Sequence, residues 1–250
     1  MEIPEILLER LGRARSVAVL TGAGVSAESG VKTFRDPDGL WATLNPMELA
    51  SMEGFMANPR AVLRWYRERW DLLRNLNPNP GHLAIAAMEK LFPVFTLITQ
   101  NVDRLHQKAG STNVVELHGN LVDNHCMDCR KPAKLPDDIP EGELPRCPYC
   151  SGLIRPSVVW FGEMLPDGAM EAAERAAFSC DVFFSVGTSA EVYPAASLPY
   201  TAKQAGAFVV EVNPNRTVLS TRADLHLQGP SGVMLPNLLE QYNNYIKEKS

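Results

Sequence analysis

Four cysteines constrain this chain more tightly than any other feature. Cys126-x-x-Cys129 and Cys147-x-x-Cys150 are separated by 17 residues. Two residues between cysteines let one tight turn aim both sulfurs at the same ion, and two such turns complete a tetrahedron of thiolates. Four thiolates leave no open position for water, so the expected ion is a structural zinc. The stretch from Asn120 to Pro156 carries these cysteines and five prolines before Pro156, with little apolar periodicity. It reads as a small inserted module that needs its metal in order to fold. The competing reading, two disulfides or redox pairs, requires an oxidising compartment. The opening residues MEIPEILLERLGRARS lack the basic and then apolar profile of a secretory leader, and no run approaches 18 apolar residues. The expectation is a cytoplasmic chain with reduced thiols and no membrane partner. His125 adjoins Cys126, but four thiolates already saturate the ion, so it reads as a bystander. Cys180 stands alone in an apolar stretch and reads as a buried core thiol.

The rest of the chain alternates strand and helix signals. Apolar residues recur at helical spacing over 3–13, and Ser16 to Thr21 (SVAVLT) is a buried strand. Residues 46–74 read as helix with a break near Asn58-Pro59, and 82–91 as another. Strands follow at 94–99 (VFTLIT) and 114–117, and beyond the cysteines at 181–186, 207–212 and 224–227. Helices are expected over 168–178, 195–204 and 235–248. This order implies a parallel sheet covered on both faces. The fold class is therefore α/β: one domain in two pieces, 1–119 and 157–250, interrupted by the zinc-binding module 120–156. The 250 residues, 45% hydrophobic and 21% charged, suit one to two globular domains. A net charge of −5 argues against a dedicated nucleic-acid binder held by bulk electrostatics.

Gly22-Ala23-Gly24-Val25-Ser26-Ala27 follows the first strand and fits the G-x-G-x-x-G/A pattern. Its physics is a tight turn, close backbone approach to a pyrophosphate, and a helix N-terminus facing the anion. A hydride-transfer enzyme should present a second strand ending in an acid ~20 residues further on, to hold the adenine ribose. Here that region reads KTFRDPDGLW (32–41), a polar and aromatic loop. A dinucleotide fits, but the chemistry need not be hydride transfer.

At this point the sequence resembles the sirtuins, the NAD-dependent protein deacylases, and the compact bacterial or archaeal members in particular. The matching strings are GAGVSAESGVKTFRDPDGLW (22–41), TQNVDRLH (99–106), LHGN (117–120), the four cysteines, RPSVVWFGE (155–163), GTS (187–189) and VVEVNP (209–214). They run in order over nearly the whole chain. The resemblance implies a Rossmann-like domain with a small zinc-ribbon domain, and NAD and one zinc ion as cofactors. Acyl-lysine proteins or peptides would be the substrates.

It also implies site residues. His118 matches the general base, a role imidazole suits because its unperturbed pKa lies near neutrality. Gln100, Asn101, Val102 and Asp103 follow a strand end and would meet nicotinamide and its ribose, with Asn101 and Asp103 counted as catalytic. Asn101 and Asp103 also suit plain helix capping. Gly22, Ala23, Gly24, Ser26 and Ala27 would meet the cofactor, with Phe34, Arg35 and Trp41 in the covering loop. Gly187, Thr188 and Ser189 would meet adenosine and phosphate. Asn213, Pro214 and Asn215 would hold the adenine ribose, and Ser231 would lie near adenine. Val159, Phe161, Gly162 and Val192 belong to two segments that would sandwich the peptide as an added β-strand. Lys32 and Asp36 depart from the Pro and Gly of many relatives.

In LRWYRERW, Tyr66 and Arg69 are spaced i, i+3 and share a helix face. Some sirtuins carry this Tyr-x-x-Arg pair, which binds an acidic acyl chain such as succinyl or malonyl: guanidinium pairs with the distal carboxylate and the phenol donates a hydrogen bond. The resemblance thus implies a deacetylase with desuccinylase and demalonylase activity. Rival readings are a mono-ADP-ribosyltransferase on the same scaffold and a non-enzymatic zinc-ribbon nucleic-acid binder.

Overall fold

The computed structural model describes residues 2–31, 45–136 and 143–249. Phe34, Arg35 and Trp41 lie outside the described residues. Six parallel strands form the main sheet: β1 (Ser16–Thr21), β2 (Val94–Thr99), β3 (Val114–Glu116), β6 (Val182–Val186), β7 (Phe208–Asn213) and β8 (Leu225–Gln228). Their spatial order is β3-β2-β1-β6-β7-β8. The order reverses direction between β1 and β6, which is where open α/β sheets bind ligands.

Side-chain alternation splits the core into two layers. Val17 and Val19 of β1 face one layer, with Leu97, Phe184, Val186 and Val210. Helices α1 (Glu5–Arg13), α6 (Pro80–Met88) and α10 (Ser231–Lys249) cover that face through Leu7, Leu11, Ile85, Leu235 and Leu238. Ala18 and Leu20 face the other layer with Ile98, Phe183 and Val209, under α8 (Ala169–Ser179) and α9 (Leu198–Gln204). Burial on both faces explains why these strands read as nearly continuous apolar runs.

A second, two-stranded antiparallel sheet joins β4 (Gly119–Cys126) to β5 (Ile154–Val158). The metal module carries these two strands at its entry and exit. A third apolar cluster ties them to the helices before β2: α3 (Pro46–Leu49), α4 (Met52–Ala57) and α5 (Pro59–Leu73). Phe55, Val62, Leu63 and Tyr66 meet Leu121 and Trp160 there.

Helix ends follow local chemistry. The Asn58 side chain accepts from Ala61 N–H and Pro59 starts α5, which makes the break expected at Asn58-Pro59. Asn79 caps α6 by accepting from the Gly81 and His82 amides, while His82 Nδ1 accepts from Asn79 N–H. The 46–74 region breaks once more than its sequence suggests, at Ser51, whose hydroxyl caps α4 by accepting from Gly54 N–H. The closing helix begins at Ser231, one turn before the expected Leu235, with Pro236 inside it.

Candidate active site

Strand ends and the turns that follow them build the site at the point where the strand order reverses. The Gly22–Gly24 turn leaves β1 and lies directly on the end of β6. Gly22 N–H donates to Val186 O at 3.1 Å and Gly24 N–H to Gly187 O at 2.8 Å. A Cβ on Gly24 would lie 2.7 Å from Gly187 O, and Gly187 itself has φ +58 with Val25 N 2.4 Å from its notional Cβ. Only glycine permits this approach. α2 (Gly24–Ala27) starts in the turn and buries Ser26.

The residues after β2 converge on the same turn. Asn101 Nδ2 donates to Gly22 O at 3.0 Å and to Ser26 Oγ at 3.2 Å. Ser26 Oγ donates to Asp103 Oδ2 at 2.7 Å, and the other Asp103 oxygen accepts from Leu105 N–H at 2.9 Å. Burial raises the Asp103 carboxyl above the usual carboxylate range, against the pull of these donors. Gln100 Nε2 donates to Thr188 Oγ1 at 3.0 Å, and Asn213 Nδ2 donates to Thr188 O at 3.0 Å. Asn215 N–H closes onto Asn213 Oδ1 at 3.1 Å. The turns after β1, β2, β6 and β7 thus form one hydrogen-bonded rim, which includes Gly22, Gly24, Ser26, Gln100, Asn101, Asp103, Gly187, Thr188 and Asn213.

Arg104, next to Asp103, sits in the left-handed region at φ 58. That conformation costs ~1–2 kcal/mol for a residue with a Cβ. The side chain is tethered to compensate: its guanidinium pairs with Glu116 at 3.0 Å and Asp123 at 2.6 Å.

His118 follows β3 and precedes β4. Its Nδ1 lies 3.0 Å from Gln100 O, a carbonyl that can only accept. Nδ1 therefore carries the hydrogen and Nε2 keeps its lone pair. Burial pulls the imidazole pKa below the ordinary histidine range, against a small upward pull from the Gln100 carbonyl. The His118 carbonyl accepts from Val159 N–H at 3.0 Å, so the exit of the metal module is fastened to this residue. Phe161 and Val192 are exposed, and Phe161 N–H bonds Ala50 O at 2.8 Å. Gly162 has φ +85. Ser231 is buried at the start of α10, where its hydroxyl lies 3.5 Å from Glu28 Oε1 and the Gly232 amide donates to the same oxygen at 2.9 Å.

Beneath the rim lies a buried polar layer that is not among the sequence-based expectations. Thr21 and Thr99 are register partners at the ends of β1 and β2, and their hydroxyls are 2.8 Å apart. His106 Nε2 lies 2.9 Å from Thr21 Oγ1, and His82 Nε2 3.4 Å from Ser26 Oγ. The two imidazoles are 4.8 Å apart between centroids. Burial pushes His82 down to about 4 and His106 down to about 3, so both are neutral. Two strands that both end in threonine, followed by a histidine-bearing segment, were the available signal.

Tyr66 and Arg69 share a face of α5 but not a state. Tyr66 is buried and its oxygen accepts from Trp160 Nε1–H at 2.8 Å. Arg69 is half-buried, with its Cζ 4.9 Å from the Trp65 ring centroid. Among the described residues no carboxylate forms an ion pair with Arg69, in contrast to Arg104 and Arg155.

The four cysteine sulfurs all lie within 4.8 Å of one another. Cys126 and Cys150 sulfurs are 3.4 Å apart and Cys129 and Cys147 sulfurs 3.7 Å apart, too far for disulfides. A tetrahedral ion with ~2.3 Å bonds to sulfur needs edges of about 3.8 Å, so the set fits one structural zinc. His125 turns away, its Nδ1 2.9 Å from Ser157 Oγ. Cys180 is buried as expected, and burial pushes its thiol up to about 12.

A doubly wound sheet with a glycine turn at its reversal, beside a four-cysteine cluster fit for one zinc, defines a dinucleotide-site α/β protein with a metal-binding insertion. The model of the Sir2 family matches residues 22–194, and the chain belongs to that family. It is 48% identical over 248 residues to an NAD-dependent protein deacylase of Methylococcus capsulatus, covering 96% of this chain and 97% of that protein. A solved Sir2 homologue in complex with NAD superposes with TM-score 0.90 at 43% identity, covering 97% of this chain and 95% of the other. A Sir2 structure with 2′-O-acetyl-ADP-ribose and deacetylated p53 peptide superposes with TM-score 0.83 at 32% identity, covering 96% of this chain and 99% of the other.

Proposed function

We propose that this protein is an NAD-dependent protein-lysine deacylase that removes acetyl and also succinyl or malonyl groups, releasing nicotinamide and O-acyl-ADP-ribose. The observation that carries the reading is the state of His118. Its Nδ1 is committed to Gln100 O at 3.0 Å, and its Nε2 lone pair is left for a ribose hydroxyl proton. NAD, when bound, supplies the ribose carbon that leaves nicotinamide and takes up the acyl-lysine oxygen. Asn101 and Asp103 orient the carboxamide and ribose, held in place by Gly22 and Ser26. Gly22, Ala23, Gly24, Ser26 and Ala27 face the pyrophosphate, and Gln100 and Val102 flank the nicotinamide side. Gly187, Thr188 and Ser189 meet adenosine and phosphate, and Asn213, Pro214, Asn215 and Ser231 the adenine end. Phe34, Arg35 and Trp41, outside the described residues, are assigned to the cofactor on the family resemblance alone. Val159, Phe161, Gly162 and Val192 receive the peptide backbone.

The acyl choice rests on Arg69. A half-buried guanidinium has lost part of its hydration, and with no carboxylate in an ion pair with it among the described residues it favours an anionic ligand. We assign the NAD-binding unit to 1–119 and 157–250 and the zinc module to 120–156; the separate two-stranded sheet supports a distinct module, and its strands overrun these bounds by one residue at Gly119 and two at Ser157 and Val158. Four cysteines kept as metal thiolates fit a reducing, cytoplasmic location.

A panel of acetyl-, succinyl- and malonyl-lysine peptides, with and without NAD, tests the reading. Acyl loss should require NAD and release equimolar nicotinamide; ADP-ribose added to the peptide instead would refute it. Arg69→Met should depress desuccinylation at least tenfold more than deacetylation, since a charge-assisted pair contributes ~1.5–3 kcal/mol. Equal losses would sink the acidic-acyl assignment.

A further inference from the structure

Trp160 is held more firmly than packing alone requires. It is 1% exposed. The Arg155 guanidinium lies 3.3 Å from its ring centroid, and the Phe55 ring 5.1 Å away on a tilt. Arg155 is itself buried, forms a two-pronged pair with the Glu163 carboxylate, and donates to Val158 O at 2.7 Å. Glu163 then accepts from Trp160 backbone N–H at 2.8 Å. Guanidinium and carboxylate neutralise each other, so the indole is clamped without a net charge beside it.

The clamped indole has one polar atom, and it is spent on Tyr66. An indole N–H only donates, while a phenol oxygen has one hydrogen to give and lone pairs to accept with. The phenol O–H lies in the ring plane through conjugation, so it has two orientations. The indole N–H donates to this oxygen at 2.8 Å, so the hydroxyl hydrogen points away from the indole. Among the described residues no acceptor takes that hydrogen. Burial holds the phenol well above its ordinary pKa, so the hydrogen is retained.

We propose that Trp160 is a positioning residue for acyl selectivity. Its indole N–H fixes the Tyr66 hydroxyl as a donor, so that phenol and the Arg69 guanidinium present matched donors to the distal carboxylate of an acidic acyl chain. An acetyl group has no such carboxylate and does not use the hydrogen. The inference rests on the acidic-acyl reading above.

The test is a double-mutant cycle. Steady-state kcat and KM are measured with succinyl- and acetyl-lysine peptides for the wild type, W160F, Y66F, the double variant and R69M. W160F should lower the succinyl-to-acetyl ratio of kcat/KM about tenfold, chiefly through KM for the succinyl peptide. In the Y66F background the same change should move the ratio less than twofold. Equal losses on both peptides, or independent effects in the cycle, would overturn the positioning role. If R69M lowers the ratio and W160F does not, the acidic-acyl reading stands and only this inference falls. If R69M leaves the ratio unchanged, both fall. Should W160F not fold, the indole N–H resonance of Trp160 in the wild-type protein decides instead, assigned by its displacement in Y66F. It should shift on adding succinyl peptide with NAD-free protein and stay in place with acetyl peptide. Identical responses to the two would overturn the proposal.

Discussion

His118 has its tautomer set by one carbonyl and its protonation chiefly by burial. The Gln100 O contact selects the tautomer, and burial lowers the pKa. Neutral imidazole therefore persists to lower pH than in a solvated histidine. The acid limb of kcat/KM should fall below the ordinary histidine value of ~6.5. A limb above 7 would contradict it. His118→Tyr should lower deacylation by ~10²-fold or more while the fold persists, in keeping with the usual contribution of a general base. Retained activity in a folded variant would remove His118 from that role. Charge partners, unlike residue types, were illegible at this scale. Arg104 and Arg69 look alike in the sequence, and only the fold reveals that Glu116 and Asp123 hold one while the other has an indole for company.

Among elements, legibility followed burial. The bounds of β1 and β2 come straight from SVAVLT and VFTLIT, because central strands covered on both faces must be apolar throughout. β4 (GNLVDNHC) and β5 (IRPSV) escape the same reading. They are mostly polar, one contains a proline, and their ladder slips between Gly119 and Asn124. Thiolates, not apolar pairs, close their far end: Cys126 and Cys147 make up the local core with Ile154. α7 (Leu105–Lys108) is a single turn, too short for periodicity to register, and Pro236 disguises the first turn of α10. If β4 and β5 depend on the metal that the four sulfurs fit, a prediction follows. One zinc per chain should be found by elemental analysis, and strong chelation or Cys147→Ser should release it. Hydrogen exchange over 119–158 should then accelerate by orders of magnitude, while β1 and β6 stay protected. Uniform loss of protection across both sheets would contradict the separation of the module.

For the molecule as a whole, the two neutral histidines beneath the rim couple folding to acidity. His82 belongs to α6 and His106 to α7, and their folded pKa values, about 4 and about 3, lie far below that of an unfolded histidine. The unfolded chain therefore takes up protons first as pH falls. Stability is intact above pH ~6.5 and declines as pH drops toward the folded values, by an order of ~3 kcal/mol per histidine. Urea unfolding measured from about pH 7.5 to 5.5, a window largely clear of carboxylate titration, should show a falling midpoint. A flat midpoint would mean that these imidazoles titrate in the folded state as they do in the unfolded chain. The general architecture was legible from the alternation of strands and helices. This buried polar layer was not, because it depends on Thr21 and Thr99 meeting across a parallel ladder from positions 78 residues apart. One register pair has a wider meaning. Gly119 stands opposite Val158, so the chain leaves the α/β frame and returns to it one rung away. Leu121, Asp123 and Arg155 also touch the frame, yet none of these contacts registers how far the chain travels before it returns. Closing a loop of twice the length would cost only ~0.6 kcal/mol more. Between the two cysteine pairs the chain can therefore lengthen, shorten or change its surface from one descendant to the next, while the strand ends that carry the site keep their places.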